Sequence, residues 1–412
     1  SEYTAQPDGW IALATAAVLA PVVRAPRATL RHMAVAGFVA GLFALVKPFY
    51  GMFVFVPLAF LAVQHGRDWR RTAGAVALAA AASAVPIALT VAWFAARGAL
   101  DALLEVHLLY TARTYNGGGV ELGARLGALA RFAGSTRGVP VAAVLPLALV
   151  GAVALWRAGR RPLVTALGTW VAVAVFCVLL QNKYYGYHWI PVHLALLVLA
   201  VVGGVALLRA RSLLPRTAAA LALLAVAAGA ALPAARSVAR WALYATGRRP
   251  PDVYHASFTD KSPSRPDQRM RAGRYVAERA APGATVAVWG TDPGVLHYAE
   301  RPAPFRIGAW SYPVFNAMGS AEQRRYAAEY VRDLQTRSPD FLVSNRRLSA
   351  RGHRLLATHP AIARVVAARF VLDTTIGPYE IWRRRAAPSR LAPSVVAPAG
   401  STLPLAGAPT GR

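Results

Sequence analysis

Long apolar segments separated by short arginine-rich loops constrain the fold of this chain more than any other feature of its sequence. The chain is 56% hydrophobic, and its apolar residues fall into blocks, which is typical of helices that cross a bilayer. A soluble helical bundle would not need so many uncharged runs of this length. Eight segments are predicted, at about residues 9–23, 32–46, 51–64, 72–96, 139–156, 163–181, 190–208 and 217–235.

Four short loops between these segments indicate how the chain is oriented. Twelve arginines lie in them, opposed only by Asp68, and loops of this kind face the cytoplasm. The turns at Lys47 and Lys183 are then predicted outside, as are residues 97–138 and everything after residue 235. The arginines are Arg24, Arg27, Arg31, Arg67, Arg70, Arg71, Arg157, Arg160, Arg161, Arg209, Arg211 and Arg216.

The net charge of +28 raises the question of a nucleic-acid partner, and its distribution argues against one. From Arg236 onward the chain holds 27 basic and 12 acidic residues, an excess that suits anionic lipid head groups. Membrane lipids are therefore predicted partners, and nucleic acid is not. The single cysteine, Cys177, lies inside an apolar segment, and no Cys/His spacing predicts a metal site. Cofactors stay unassigned.

Two of the three lysines in this arginine-rich chain lie in the shortest gaps between apolar segments. Residues 32–64 would form a single helix of about 50 Å, too long for a hydrocarbon core of about 30 Å, and Pro48 and Gly51 interrupt it. A charge at Lys47, near the head-group level, is costly unless it is paired. We predict a phosphate-binding ammonium there, with a lysine that extends to the interface as the alternative.

The second lysine, Lys183, is followed by a dense aromatic loop. An interfacial aromatic belt explains this composition, and so does a surface that binds sugar and phosphate. Lys183, Tyr185 and His188 are the candidate substrate-binding residues here, although His188 by itself suits a structural or interfacial role. The aromatic loop comprises Tyr184, Tyr185, Tyr187, His188 and Trp189.

An acidic residue, Asp8, stands at the predicted outer end of the first segment. It has two interpretations: an N-cap of the first helix, or a catalytic group that orients an acceptor or transfers a proton. Asp292, which follows a predicted strand in Asp-Pro-Gly, is interpreted as part of a turn.

Three regions follow from the remaining pattern. Residues 1–240 are predicted to form the membrane core, within which leucines at helical spacing in residues 97–138 predict an interfacial amphipathic helix. Residues 241–385 are predicted to form a small α/β domain outside the cytoplasm, with strands at Thr285–Trp289, Phe341–Ser344 and Tyr379–Trp382. Residues 386–412, rich in alanine and proline, predict a disordered tail.

These motifs resemble those of the GT-C membrane glycosyltransferases, a family that includes protein mannosyltransferases and the aminoarabinose transferase of lipid A. The resemblance covers roughly residues 1–385, in short and degenerate motifs. Its residues are Ala36-Gly37-Phe38-Val39-Ala40-Gly41-Leu42 with Leu45-Val46-Lys47-Pro48, Ala5-Gln6-Pro7-Asp8, Lys183-Tyr184-Tyr185-Gly186-Tyr187-His188-Trp189-Ile190-Pro191, Val286-Ala287-Val288-Trp289-Gly290 and Tyr379-Glu380-Ile381-Trp382-Arg383.

The resemblance implies a polytopic helical core of GT-C type in a bacterial cytoplasmic membrane. The reaction implied is inverting transfer of a sugar from a polyprenyl-phosphate donor to a lipid, glycan or protein acceptor outside the cytoplasm. Lys47 would lie near the lipid phosphate and Asp8 near the reaction centre. The principal catalytic acid of the family lies on a loop after the first span, and we expect it upstream of Ser1.

A non-catalytic carrier or scaffold of cell-envelope glycan assembly is the alternative function. Ion-coupled transport is disfavoured, because transporters usually carry ionisable residues within their spans. Here the middles of the last five segments carry none.

Overall fold

The computed structural model is mostly helical, with a small sheet near the C-terminus. It divides into two compact units: one of residues 1–262 and 313–326, and the other of residues 263–312 and 327–412. The predicted tail at 386–412 lies outside the described residues. Those are residues 7–24, 30–66, 68–115, 121–133, 139–182, 184–210, 212–257, 266–290, 292–309, 311–315, 320–346 and 359–385.

The first unit is built from helices. Each predicted apolar segment lies within a helical stretch, and Pro48–Val54 is a 3-10 helix that leads directly into the third α-helix. The α-helices up to residue 262 are α1 (Pro7–Arg24), α2 (Leu30–Val46), α3 (Phe55–His65), α4 (Trp69–Ala96), α5 (Leu100–Leu103), α6 (Leu122–Ala133), α7 (Val139–Arg157), α8 (Arg161–Gln181), α9 (Ile190–Leu208), α10 (Leu213–Ala245) and α11 (Pro251–Ala256).

Within the described residues, four helical stretches are long and apolar enough to cross a membrane, which indicates membrane association. They are Pro48–His65, Trp69–Ala96, Arg161–Gln181 and Gly186–Leu208. Three shorter apolar helices accompany them, at Leu30–Val46, Val144–Arg157 and Leu213–Ala225. How many of the segments span, and which side each loop faces, stay predictions.

Small residues let these helices approach closely. A side chain at Gly37 would overlap the backbone at Ala79, and one at Gly41 would overlap Ser83, while the Ser83 hydroxyl donates to the Gly37 carbonyl at 2.7 Å. Residue numbers rise together along this contact, so α2 and α4 run parallel. The chain between them, which contains Lys47, must therefore turn back, as the break at Pro48 predicts.

Residues 97–138, predicted to contain an amphipathic helix, are mostly helical where they are described. Helix α5 continues into a π-helix at Leu104–Tyr115, and α6 follows. In the π-helix Tyr110 is buried against Tyr326 with ring centroids 5.8 Å apart, whereas Leu108 and Leu109 are exposed. The glycine-rich turn at 116–119 lies outside the described residues.

The second unit contains a four-stranded sheet with strand order β1-β2-β4-β3. Strands β1 and β2 pair in parallel, while β4 pairs antiparallel to both β2 and β3. Strands β1 and β2 are wholly buried, as expected for a parallel pair with both faces covered. The strands are β1 (Val286–Trp289), β2 (Phe341–Asn345), β3 (Phe370–Ile376) and β4 (Tyr379–Arg384).

Three of these strands agree with the predicted ones, and the edge strand β3 was not predicted. Val371 and Leu372 are exposed on it, and Asp373, Thr374 and Thr375 interrupt its apolar residues, so it lacks the continuous apolar run that identifies β1. The remaining helices are α12 (Pro266–Arg279), α13 (Gly294–Ala299), a 3-10 turn (Arg306–Gly308), α14 (Tyr312–Phe315), α15 (Ala321–Thr336) and α16 (Pro360–Arg369).

Candidate functional site

Three helix ends meet at one end of the helical bundle in the first unit. Asp8 lies in the first turn of α1, Lys47 follows the last residue of α2, and Gln181 is the last residue of α8. Asp8 is the second residue of α1 as described, inside the helix rather than at its N-cap. Its side chain is fully buried, with 0% of its surface exposed.

Among the described residues, the ammonium group of Lys47 contacts three polar neighbours. Nζ lies 2.7 Å from Oε1 of Gln181, 3.4 Å from Oδ2 of Asp8 and 3.4 Å from the hydroxyl of Tyr50. The Lys47 side chain is 23% exposed. The ammonium is therefore paired, while the side chain that carries it is not fully buried.

The 3-10 helix after Lys47 positions Tyr50. The Tyr50 amide donates to the Lys47 carbonyl at 2.8 Å, a bond that spans three residues and stacks positions i and i+3 on one side. As a result Nζ of Lys47 lies 5.1 Å from the centre of the Tyr50 ring. The Tyr50 hydroxyl donates to Oδ1 of Asp8 through a short hydrogen bond.

Gln181 completes the cluster of Asp8, Lys47, Tyr50 and Gln181, which we call the outer cluster. Nε2 of Gln181 donates to the Tyr50 hydroxyl at 3.3 Å and to the carbonyl of Cys177 at 3.1 Å. The amide oxygen and the amide nitrogen of Gln181 are thus both hydrogen-bonded, while the residue is only 2% exposed. Buried polar networks of this kind hold one geometry when every member is satisfied.

The aromatic loop approaches the outer cluster through Tyr187, which was not among the predicted substrate-binding residues. The ring of Tyr187 lies 5.9 Å from Nζ of Lys47. Among the predicted substrate-binding residues, Tyr185 is 44% exposed and His188 is buried, and both pack against the Tyr187 ring at centroid distances of 5.5 and 4.4 Å. Lys183 lies outside the described residues.

Helix α6 supports the aromatic loop from the side. Phe132 stacks on Trp189 with ring centroids 4.4 Å apart and planes within 5°. The Tyr184 hydroxyl donates to the carbonyl of Arg125 at 2.6 Å, and Arg125 in turn donates to the carbonyls of Leu179 and Leu180 at the end of α8. These contacts fix the loop on the same helix end that carries Gln181.

Sequence reasoning missed Tyr50 and Gln181, although each carried a signal. Tyr50 stands in the same short gap as Lys47, and Gln181 is the polar residue that ends an otherwise apolar segment. Neither residue type is diagnostic alone. Their role became visible only when packing brought residues 42 and 131 positions apart into contact.

A second polar cluster lies in the sheet-containing unit, at the carboxyl end of β1. Asp292 is 2% exposed and accepts from Nη1 of Arg269 at 2.9 Å and from the Tyr379 hydroxyl. Burial, together with the Asp292 charge, raises the pKa of Tyr379 far above its ordinary value. Tyr379 therefore stays a protonated donor. Asp292, interpreted as a turn residue, also ties α12 to β4, a structural role.

Among the described residues, no group of three or more His, Cys, Asp or Glu side chains converges as a metal site would require. Comparisons with protein-family models, with curated proteins and with solved structures find no match to this chain.

Proposed function

We propose that this protein is a membrane glycosyltransferase of GT-C type, which moves a sugar from a polyprenyl-phosphate donor to an acceptor outside the cytoplasm. One observation carries the proposal: a lysine whose side chain is 23% exposed holds its ammonium against buried polar groups, at a helix-bundle end away from the arginine loops. A cation at that depth suits a ligand whose charge lies at the head-group level and whose chain is apolar.

The position of the outer cluster agrees with such a donor. Lys47 and Gln181 lie at the ends of α2 and α8, and those helices begin next to Arg31 and Arg161. By the positive-inside rule the arginine ends face the cytoplasm, so the outer cluster faces the opposite side. A polyprenyl phosphate there would keep its chain among the apolar helices and its phosphate at Lys47.

The contacts of Lys47 differ in length, and a phosphate would compete with the longer ones. Its bond to Gln181 is short at 2.7 Å, whereas the contacts to Asp8 and Tyr50 are both 3.4 Å. A phosphate oxygen would replace one of the two long contacts while Gln181 continues to hold the ammonium. The Tyr187 ring, 5.9 Å from Nζ, and the exposed Tyr185 ring offer flat apolar faces beside the same point.

In the proposed reaction, the acceptor hydroxyl oxygen bonds to the anomeric carbon as the bond from that carbon to the phosphate oxygen breaks. The bonding pair leaves with the polyprenyl phosphate, and the hydroxyl proton passes to a general base. Negative charge grows on the leaving phosphate, so a fixed cation beside it lowers the barrier. Lys47 supplies that cation.

Asp8 acts in this proposal as a positioning residue for Lys47. Its carboxylate is fully buried and bonded to Lys47 and Tyr50, so it holds the ammonium in place rather than meeting the acceptor. The predicted direct catalytic role of Asp8 stays a prediction.

The test is transfer of radiolabelled sugar from a panel of polyprenyl-phospho-sugars by the complete protein in membranes. Lys47→Gln should lower the transfer rate by about a hundredfold, because one preorganised charge at the transition state is lost. Arg97→Gln is the matched control. It removes one positive charge at the end of α4, where Arg97 packs on Trp93 at 4.4 Å, and should leave the rate unchanged.

Three results would contradict the proposal. An equal rate in Lys47→Gln and the parent would remove Lys47 from the reaction. Equal losses in Lys47→Gln and Arg97→Gln would show an effect of net charge alone. Binding of polyprenyl phosphate that depends on Lys47, without transfer from any donor, would favour the carrier function instead.

A further inference from the structure

A large cleft in the sheet-containing unit is lined by arginines. It measures about 890 Å³ and lies where β2 begins and β4 ends, the end of the sheet opposite Asp292. This volume is within the range of sites that hold small organic ligands. The charged side chains that line it are Arg279, Arg369, Arg383, Arg384, Arg385 and Asp340.

The carboxylates near the cleft neutralise only part of this charge. Arg384 pairs with Asp340 at 2.6 Å, and Arg383 pairs with Asp373 at 3.3 Å. Arg279 pairs with Glu278 at 3.5 Å, an exposed contact that contributes little. Within the described part of the chain, neither Arg369 nor Arg385 lies within ion-pair distance of a carboxylate.

Arg369 and Arg385 have a structural role that uses only part of each guanidinium. Nη1 of Arg369 donates to the carbonyl of Gln335 at 2.6 Å and to Oγ of Ser338 at 2.9 Å. Arg385 donates to the carbonyls of Phe370 and Ala367 at 3.1 and 3.5 Å. A guanidinium has five N–H donors, so each keeps donors for a ligand, and both side chains are exposed.

Like charges that converge in one cleft repel each other, and an anion between them removes that repulsion. The planar fork of arginine matches the oxygens of a phosphate and can bind two of them at once. We infer that this cleft is a binding site for a phosphate-bearing ligand, either a soluble phosphate compound or the head group of an anionic lipid. The inference goes beyond the proposed glycosyl transfer and does not depend on it.

The test uses the full chain in nanodiscs of phosphatidylcholine and titrates inorganic pyrophosphate, followed by calorimetry. Arg369→Gln combined with Arg385→Gln should weaken binding about tenfold or more, because charge-assisted hydrogen bonds are lost. Arg364→Gln is the matched control, since Arg364 is exposed on the same helix α16 and does not line the cleft. It should bind as the parent does.

Two further variants separate folding from recognition and this site from the outer cluster. Arg369→Lys with Arg385→Lys keeps both charges without the forks and should bind with intermediate affinity. In Lys47→Gln, the pyrophosphate binding that depends on Arg369 and Arg385 should remain. If this substitution abolished binding, the phosphate would be held at the outer cluster and the cleft would not be the site.

A second arm distinguishes the sources of the phosphate. In nanodiscs that contain phosphatidylglycerol, a lipid head group in the cleft would slow hydrogen exchange at residues 369–385 and weaken pyrophosphate binding. Unchanged exchange, with pyrophosphate binding retained, would identify a soluble ligand. Absence of binding in both arms, or equal weakening by Arg364→Gln and the double variant, would overturn the inference.

Discussion

The carboxylate of Asp8 is fully buried, while the Lys47 side chain keeps 23% of its surface exposed. A charge removed from water is costly unless a partner and hydrogen bonds satisfy it. Asp8 has both, from Lys47 and from the Tyr50 hydroxyl. At the scale of residues, the outer cluster is therefore one coupled network in which each member depends on the others.

Coupling of this kind predicts that substitutions at Asp8 and Lys47 are not additive. Asp8→Asn and Lys47→Met should each lower the free energy of unfolding by about 1–3 kcal/mol, because each leaves a partner unpaired. The free energy of unfolding lost in the double variant should be smaller than the sum of the two single losses, and the difference should be about 0.5–3 kcal/mol. Thermal unfolding in detergent measures all four states, and additive losses would show that the two residues are not coupled.

Between elements, glycine decides how closely helices approach in the first unit. Gly151 of α7 and Gly203 of α9 face each other, and a side chain at either would overlap the backbone of the partner helix. Small residues serve this purpose in membrane helices, where apolar burial between helices contributes little. The α7–α9 contact matters for the site, because the aromatic loop enters α9 at Ile190.

The close approach of α7 and α9 predicts that an alanine substitution is destabilising at Gly203 but not at Gly168. Gly203→Ala should destabilise the protein by about 1–3 kcal/mol, since the added methyl group has no space. Gly168→Ala in α8 meets no atom within 4 Å and should leave stability unchanged or raise it by up to about 1 kcal/mol. The measurement is the thermal unfolding midpoint of each variant in detergent, and equal effects would contradict the packing argument.

For the whole molecule, the proposed function depends on sidedness. Helices α1, α2 and α8 carry Arg24, Arg31 and Arg161 at one end, and the outer cluster stands at the other ends of the same helices. If the loops are cytoplasmic, an acceptor outside the cell membrane can meet a donor at Lys47. The reverse orientation would present the outer cluster to the cytoplasm and exclude the proposed acceptors.

Cysteine labelling tests this orientation directly. The native Cys177 is buried, so the label reacts with a single introduced cysteine. Labelling therefore shows which side of the membrane that position faces. In intact cells, a membrane-impermeant maleimide should label Tyr185→Cys, and it should label Ala158→Cys, beside the arginine loop, only after permeabilisation. Labelling of Ala158→Cys in intact cells would contradict the topology and with it the proposed function.

Much of the helical fold could be predicted because hydropathy is local. An apolar run such as residues 163–181 shows its length and its ends in its own residues, and the break at Pro48 follows from proline chemistry. Strands β1 and β2 were equally visible as short apolar runs. Strand β3 was not, because Asp373, Thr374 and Thr375 interrupt its apolar residues.

The sequence by itself determined the order of apolar segments, the loops that carry arginine and hence the end of the bundle at which Lys47 stands. Only the tertiary structure decided that Lys47 contacts both Asp8, 39 residues away along the chain, and Gln181, 134 residues away. The physical reason is that hydropathy and turn chemistry act between neighbours in the chain. Pairing of buried polar groups depends instead on how distant helices pack.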